Sequence, residues 1–293
     1  MLIEILRDVG LPAIVAFIMF ALGLGLRLSE FAAAFRRPKA LIAGLVAQML
    51  LLPAAAYGVV TLFGLTGEMA LGVMILSVCP GGVTTNMFAR LAGGRVALSV
   101  AMTGIVTLAS AVTMPAWIAL WFEVFLGDAA PAVSLTGLAL SVFALTALPV
   151  GLGMALGHLR PAFALRVEPG AMRLASGLFW LLILAAAAAA WETIARSIAT
   201  LGPALAVLVV VLSAAGYGTA RALGLDRADQ ITLTIETGIQ NGTIGLTLVT
   251  LIYAITDATV PDAAVPIGLY SILMYGLMIP MTIWLRRRAA APA

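Results

Sequence analysis

The sequence predicts an all-α protein that crosses a membrane many times, and three observations lead to this fold class. Apolar residues make up 63% of the 293 residues and charged residues only 10%, whereas about 25% of a soluble domain is charged. The apolar residues fall into nine segments, each long enough at about 1.5 Å per residue to cross ~30 Å of hydrocarbon. Lysine and arginine are abundant in every second loop, as they are on the cytoplasmic side of membranes.

The nine apolar segments define the predicted transmembrane helices. They run over residues 10–28, 40–63, 69–91, 96–122, 132–157, 172–191, 201–223, 229–255 and 264–286. The connections between them are short, so we expect residues 1–293 to form a single domain in the lipid bilayer.

The basic residues predict which side each loop faces. Fourteen of the sixteen lysines and arginines follow odd-numbered spans, and only Arg7 and Arg196 do not. The fourteen are Arg27, Arg36, Arg37, Lys39, Arg90, Arg95, Arg160, Arg166, Arg173, Arg221, Arg227, Arg286, Arg287 and Arg288. Loops rich in these residues stay in the cytoplasm, so we expect the N-terminus outside and the C-terminus in the cytoplasm. A different number of spans would break the alternation, so the pattern also favours nine.

Two polar stretches interrupt the third and the eighth segment near the middle of the membrane. The first reads CPGGVTTN over residues 79–86, and the second reads ETGIQNGT over residues 236–243. Unwound backbone persists at this depth only where it is buried in protein or lines a wet cavity. The two spans lie five apart and therefore cross in opposite directions. This predicts an inverted repeat in which spans 1–4 match spans 6–9 and the fifth is unpaired.

A broken helix offers free carbonyls at the end of its first half and free N–H groups at the start of its second half. Two breaks that meet therefore suit a cation and an anionic solute, as in ion-coupled transporters. Glu236 is the only carboxylate predicted deep in a span, where a charge costs at least ~2.5–3.5 kcal/mol. A hard cation such as Na⁺ would offset this cost, with further oxygens from Asn86 and Gln240. Ser99 and Thr103 lie four residues apart and share a helix face that could turn towards the first break.

The substrate is expected beside the starts of the second half-helices, where free N–H groups favour an anion. The candidate substrate-binding residues are Thr84, Thr85, Asn86, Asn241, Gly242 and Thr243.

The motifs PGGVTTNMFARLAGGRVALSV and IETGIQN resemble those of the bile acid:sodium symporter family, and the similarity extends over essentially the whole chain. The resemblance implies a broken-helix transporter with a core and a panel domain, in a nine-span bacterial form that lacks an extra N-terminal helix. We expect core helices at about 69–122 and 229–286, panel helices at about 10–63 and 172–223, and a linking span at 132–157.

The resemblance also implies two bound sodium ions. The first site would use Thr85, Asn86, Ser99, Thr103 and Glu236. The second would use Gln48, Glu236, Thr237, Ile239 and Gln240. Thr237 and Ile239 would act through their main-chain carbonyls, so the identity of their side chains matters little.

These features predict sodium-driven symport of an organic anion, bile-acid-like or a small carboxylate, by alternating access in the bacterial inner membrane. A proton-coupled carrier of the same fold, with Glu236 as the proton site, is the alternative. An enzyme is not expected, because Cys79 has no histidine partner in any span and no HExxH motif occurs. We expect a monomer and no nucleic-acid partner. The substrate, the stoichiometry and the direction of net transport stay open at this point.

Overall fold

The computed structural model describes residues 10–253 and 261–290, and every regular element within them is a helix. Six of these helices are long and apolar enough to cross a membrane, and a pair of helices bent by 65° forms a seventh candidate. The all-helical, multi-pass fold is therefore confirmed, whereas the number nine stays a prediction. Arg7 and the predicted end of the eighth span at residue 255 lie outside the described residues.

Twelve helices longer than one turn are described, with short connections between them, one of which contains a 3-10 turn at Gly127–Ala129. The first six are α1 (Leu11–Gly25), α2 (Leu28–Phe35), α3 (Pro38–Leu62), α4 (Gly67–Ser77), α5 (Val83–Ala92) and α6 (Val96–Phe125). The other six are α7 (Leu135–Leu159), α8 (Pro161–Ala189), α9 (Trp191–Ala222), α10 (Arg227–Gly238), α11 (Gly242–Tyr253) and α12 (Ala264–Ala290).

Two helices begin well before the apolar segments that predicted them. α8 starts at Pro161 rather than at 172, and α9 starts at Trp191 rather than at 201. Proline suits the first turn of a helix, because its missing N–H has no partner there in any case. Ala162, Ala164 and Leu165, which are good helix formers, follow it. The helix then continues through the charged residues that ended the apolar pattern and past the internal Pro169. Hydropathy therefore located these spans but not their ends.

A π turn interrupts α3 at Ala47–Leu51, directly before Leu52 and Pro53. A proline inside a helix removes one N–H and crowds the carbonyl of the preceding turn, and a wider turn relieves both effects. The π turn carries Gln48, whose side chain is buried. α7 repeats this arrangement, with a π turn at Phe143–Ala147 before Leu148 and a proline.

The helices pack in two groups. α1 lies along α7 and α8, while α9 lies along α10 and also contacts α12 and the second half of α3. Small residues permit the crossing of α1 with α7, as they do between membrane helices generally. A Cβ on Gly23 would meet the carbonyl of Val150, and a Cβ on Gly153 would meet the carbonyl of Phe20.

Candidate functional site

The backbone leaves the helical conformation at both predicted polar stretches. Residues 78–82 separate α4 from α5, and residues 239–241 separate α10 from α11. The two breaks touch, because the main-chain N–H of Asn241 donates to the carbonyl of Pro80 at 3.0 Å. Two ends of broken helices therefore meet inside the protein.

Glu236 lies at this meeting point and is only 1% exposed. Its carboxylate accepts a hydrogen bond from Ser99, and the Thr103 hydroxyl lies 3.1 Å from its Oε2. Ser99 Oγ also lies 2.8 Å from Oδ1 of Asn86, and Thr103 Oγ1 lies 3.3 Å from Oγ1 of Thr85. The five residues predicted for the first sodium site thus form one cluster, which we call the Glu236 cluster.

The Glu236 cluster contains too few protons for its oxygens. A serine or threonine hydroxyl carries a single proton. Ser99 faces both the Asn86 carbonyl oxygen and the Glu236 carboxylate but can donate to only one of them. The Thr85 hydroxyl lies 2.6 Å from the carbonyl of Gly82, so that carbonyl competes with the cluster for its single proton. Within the described residues no lysine or arginine pairs with Glu236, so lone pairs exceed the positive groups that could satisfy them.

A second polar group lies beside the first and involves the π turn of α3. Gln48 Nε2 donates to Gln240 Oε1 at 3.1 Å and lies 3.2 Å from the carbonyl of Cys79. Gln240 Nε2 donates in turn to the carbonyl of Thr237 at 2.8 Å. Oε1 of Gln48 is buried and has no hydrogen-bond partner among the described residues. An unpaired buried acceptor costs roughly 1–3 kcal/mol, and a bound cation would remove that cost.

The residues predicted for the second sodium site are only partly joined. Gln48, Gln240 and Thr237 are linked by hydrogen bonds, whereas no described hydrogen bond links Glu236 or Ile239 to Gln48. The hydroxyl of Thr237 turns away and donates to the carbonyl of its own helix at Leu233 over 2.8 Å. Only the main chain of Thr237 thus faces the amide pair.

A cavity of about 210 Å³ adjoins the crossing and is lined by α1, α5, α8, α11 and α12. Three of the six residues predicted to bind substrate, Thr84, Asn241 and Thr243, contribute to its wall. The hydroxyl of Thr243 is buried and lacks a partner in the described part of the chain. This cavity therefore presents a polar side chain whose hydrogen-bonding capacity is unused.

The other three predicted substrate residues lie elsewhere. Thr85 faces the Glu236 cluster. Gly242 packs against α12, where a Cβ would meet the side chain of Ser271. Asn86 lines a neighbouring cavity of about 480 Å³, whose wall also holds two arginines, Arg90 and Arg173, and two glutamates.

The sequence analysis missed the aromatic wall of the smaller cavity. The Tyr275 hydroxyl donates to Oγ1 of Thr84 at 3.0 Å. Its ring lies 5.2 Å from the ring of Trp180 and 6.3 Å from that of Phe179, measured between centroids. Aromatic residues are common throughout membrane spans, so no sequence signal marked these three.

An ion-pair network was also missed, since the sequence identified its arginines only as markers of sidedness. Asp226 caps α10 and accepts from the N–H of Asp229 at 3.0 Å. Arg37 and Arg95 each pair with both aspartates. Partial burial alone would raise the pKa of Asp226, but the N–H of Asp229 and the two arginines lower it below its ordinary value. The network fixes the start of α10, about two and a half helical turns before Glu236.

Several helices long and apolar enough to cross a membrane, with two breaks in the helical backbone that meet beside a buried carboxylate, are typical of a polytopic membrane transporter. Comparison with known proteins identifies which kind. Residues 12–197 match the Sodium Bile acid symporter family, so the chain belongs to that family. Its members are transporters and not enzymes.

Three relatives illustrate the similarity. The chain is 31% identical to an "Uncharacterized sodium-dependent transporter YocS" of Bacillus subtilis, over 87% of this chain and 76% of that protein. It is 26% identical to the "Ileal sodium/bile acid cotransporter" of Cricetulus griseus, over 87% of this chain and 73% of that protein. It is 30% identical to the "Probable sodium/metabolite cotransporter BASS1, chloroplastic" of Arabidopsis thaliana, over 84% of this chain and 60% of that protein.

Proposed function

We propose that this protein is a sodium-coupled symporter that carries a small organic anion by alternating access. The observation that carries the proposal is the shortage of protons around Glu236. A buried carboxylate surrounded by oxygens is stable when a cation joins the cluster, and oxygens of this kind suit Na⁺. The three relatives are named as a sodium-dependent transporter or as sodium cotransporters, which supports the same choice of ion.

Two ions are proposed. Thr85, Asn86, Ser99, Thr103 and Glu236 would hold the first. Gln48, Gln240 and the carbonyls of Thr237 and Ile239 would hold the second, with Glu236 shared between the two. The unpaired Oε1 of Gln48 supports a ligand at the second position.

The substrate is proposed to bind in the cavity of about 210 Å³, against the starts of α5 and α11. Free N–H groups at a helix start attract an anion, and Thr84, Asn241 and Thr243 add polar contacts. Pockets for drug-sized ligands have volumes of roughly 300–1,000 Å³. The smaller volume therefore favours a small carboxylate over a molecule as large as a bile acid.

The first turn of α5 provides a physical link between sodium and substrate. Thr84 faces the cavity, whereas Thr85 and Asn86 next to it face the Glu236 cluster. An ion that orders Thr85 and Asn86 also orders Thr84, so sodium raises the affinity for substrate. Linkage requires that substrate raises the affinity for sodium by the same factor.

Alternating access is proposed to occur between two groups of helices. α1, α7 and α8 would form one group, and α9, α12, the second half of α3 and the broken helices would form the other. The packing of α9 along α10 supports this division. This proposed division places residues 201–223 and much of 40–63 in the core. The division expected from the sequence placed both in the panel.

Nine spans in an inverted repeat, in the bacterial inner membrane with the C-terminus in the cytoplasm, remain part of the proposal. The two helix breaks, which meet where Asn241 donates to the carbonyl of Pro80, support the repeat. Arg37, Arg95 and Asp226 belong to three different predicted cytoplasmic connections, and they meet at one end of the bundle. Their contact supports the proposal that these three connections lie on the same side of the membrane.

A proton-coupled carrier is the second candidate, because a proton on Glu236 would also relieve the shortage. Purified protein in liposomes separates the two ions. A sodium gradient at fixed, equal pH is expected to drive uptake of a small carboxylate. Uptake driven by a pH gradient without sodium, and unaffected by adding it, would refute sodium coupling. The substrate is found first by screening organic anions for thermal stabilisation with and without Na⁺.

A further inference from the structure

A basic pocket lies at the ends of α9 and α12, remote from the breaks. Its volume is about 160 Å³, and it is lined by residues from α9, α10 and α12. Five of its lining residues are polar or aromatic: Tyr217, Arg221, Arg227, Gln230 and Trp284. Among the described residues, none that lines it is acidic.

The pocket is built rather than incidental. Arg221 donates to the Tyr217 hydroxyl at 3.3 Å, which orients the guanidinium. Gln230 donates to the carbonyl of Leu225 at 2.7 Å, which fixes the turn between α9 and α10. Asp226 lies in the same turn but pairs with Arg37 and Arg95. The Asp226 carboxylate is therefore held by arginines of two other connections and not by the pocket.

The pocket lies at the ends of two membrane-spanning helices, which is the level of the bilayer surface. α9 and α12 are both long and apolar enough to cross a membrane, and both end at the pocket. Exposed apolar side chains continue along α12 from Trp284 to Ile283 and Ile279, which are 48%, 49% and 51% exposed. A charged recess that leads onto an apolar helix face matches a molecule with an anionic head and a hydrocarbon tail.

We propose that this pocket binds the headgroup of an anionic phospholipid, with an acyl chain along the apolar face of α12. Basic pockets between membrane helices recognise such headgroups, and each arginine near the surface contributes about 1 kcal/mol. Arginine can form two parallel hydrogen bonds to one phosphate. The pocket has the volume of about five water molecules at ~30 Å³ each, which is room for a phosphate group.

The test measures lipid retention by native mass spectrometry of the full chain. Purified protein is exposed to equal amounts of phosphatidylglycerol and phosphatidylcholine with the same acyl chains. We expect the protein to retain phosphatidylglycerol preferentially. R221Q and R227Q should each reduce this preference about fivefold, and the double variant about thirtyfold.

The matched control is R160Q/R166Q, which removes the same charge from two exposed arginines outside the pocket. It should keep the preference, because general attraction of basic residues to anionic lipid is not the mechanism proposed. An equal loss in the control, or no loss in the pocket variants, would overturn the site. If the double variant does not fold, the two single variants decide the question.

A competition experiment distinguishes a lipid from a free anion. Inorganic phosphate at millimolar concentration is not expected to displace phosphatidylglycerol, because it lacks the acyl chain. Displacement by phosphate would identify a phosphate site and refute the lipid proposal. None of these measurements depends on sodium coupling or on the transported anion.

Discussion

Replacing Gly81 with alanine should weaken sodium binding by inserting one methyl group into the Glu236 cluster. A Cβ at this position would lie 2.7 Å from Oε2 of Glu236, 3.1 Å from Oγ1 of Thr85 and 3.2 Å from Oγ1 of Thr103. Gly81 does not have a positive φ, so alanine meets no backbone strain there. The effect should therefore come from crowding alone.

The magnitude follows from the distances. Non-bonded carbon contacts are favourable at about 3.5–4.0 Å, so the carboxylate would have to retreat by roughly 0.8 Å or more. Overpacking of this kind costs about 1–3 kcal/mol. If that cost is paid mainly in the sodium-bound state, sodium affinity falls by roughly 5–150-fold.

The assay is thermal stabilisation of the purified protein by Na⁺, titrated without substrate. G82A is the matched control, because a Cβ there would be no closer than 3.6 Å to any neighbour. It adds the same methyl group one residue away. The sodium midpoint, which is the Na⁺ concentration that gives half of the maximal thermal stabilisation, should stay within about twofold of that of the original protein. An unchanged midpoint in G81A, or an equal shift in G82A, would show that the cluster does not hold the ion.

Four further predictions concern other parts of the molecule. Glu236→Ala should abolish sodium-driven uptake in liposomes while the protein still inserts into the membrane, and normal sodium-driven uptake would contradict its role. Thr237→Val should leave the sodium midpoint unchanged, because the lost hydroxyl bonds only to its own helix; a large shift would refute the assignment to its carbonyl. Tyr275→Phe removes a hydrogen bond to Thr84 worth about 0.5–1.5 kcal/mol, so the substrate KM should change by roughly 2–12-fold at constant sodium midpoint; a shift in the midpoint instead would connect Tyr275 with the ion. Because the pKa of Asp226 is lowered in the folded protein, its carboxylate stabilises the fold at any pH above its unfolded-state pKa of ~3.9. This stabilisation is lost as the pH falls through the pKa of Asp226 in the folded protein. The thermal stability of Asp226→Asn should therefore fall less than that of the original protein on acidification below about pH 4, and identical pH profiles would refute this.

The hydroxyls of α6 show where sequence reasoning reaches its limit. Ser99 and Thr103 face Glu236, whereas Thr107 and Ser110 on the same helix donate to carbonyls of their own helix. All four are fully buried and sit in the same apolar run. Helical spacing placed Ser99 and Thr103 on one face, but only the packing of α10 against α6 brings that face to the carboxylate.

The same limit applies to Gln48 and Tyr275. The sequence identified Gln48 as a single amide in an apolar run, but its grouping with Gln240 came only from the resemblance to a family. Gln48 and Gln240 lie 192 residues apart, and the π turn of α3 directs one towards the other. Tyr275 had no such signal, and its contact with Thr84 crosses 191 residues.

The sequence by itself determined the features that depend on local chemistry. Low charge and long apolar runs required a membrane, and the two polar stretches required breaks where lipid cannot reach. One carboxylate at that depth required compensation. The tertiary structure decided which oxygens surround Glu236, which of the predicted substrate residues reach the cavity, and which aspartates the arginines engage. These outcomes depend on contacts between segments more than a hundred residues apart, as between Ser99 and Glu236 at a separation of 137. Residue type and spacing within one segment carry no information about such contacts.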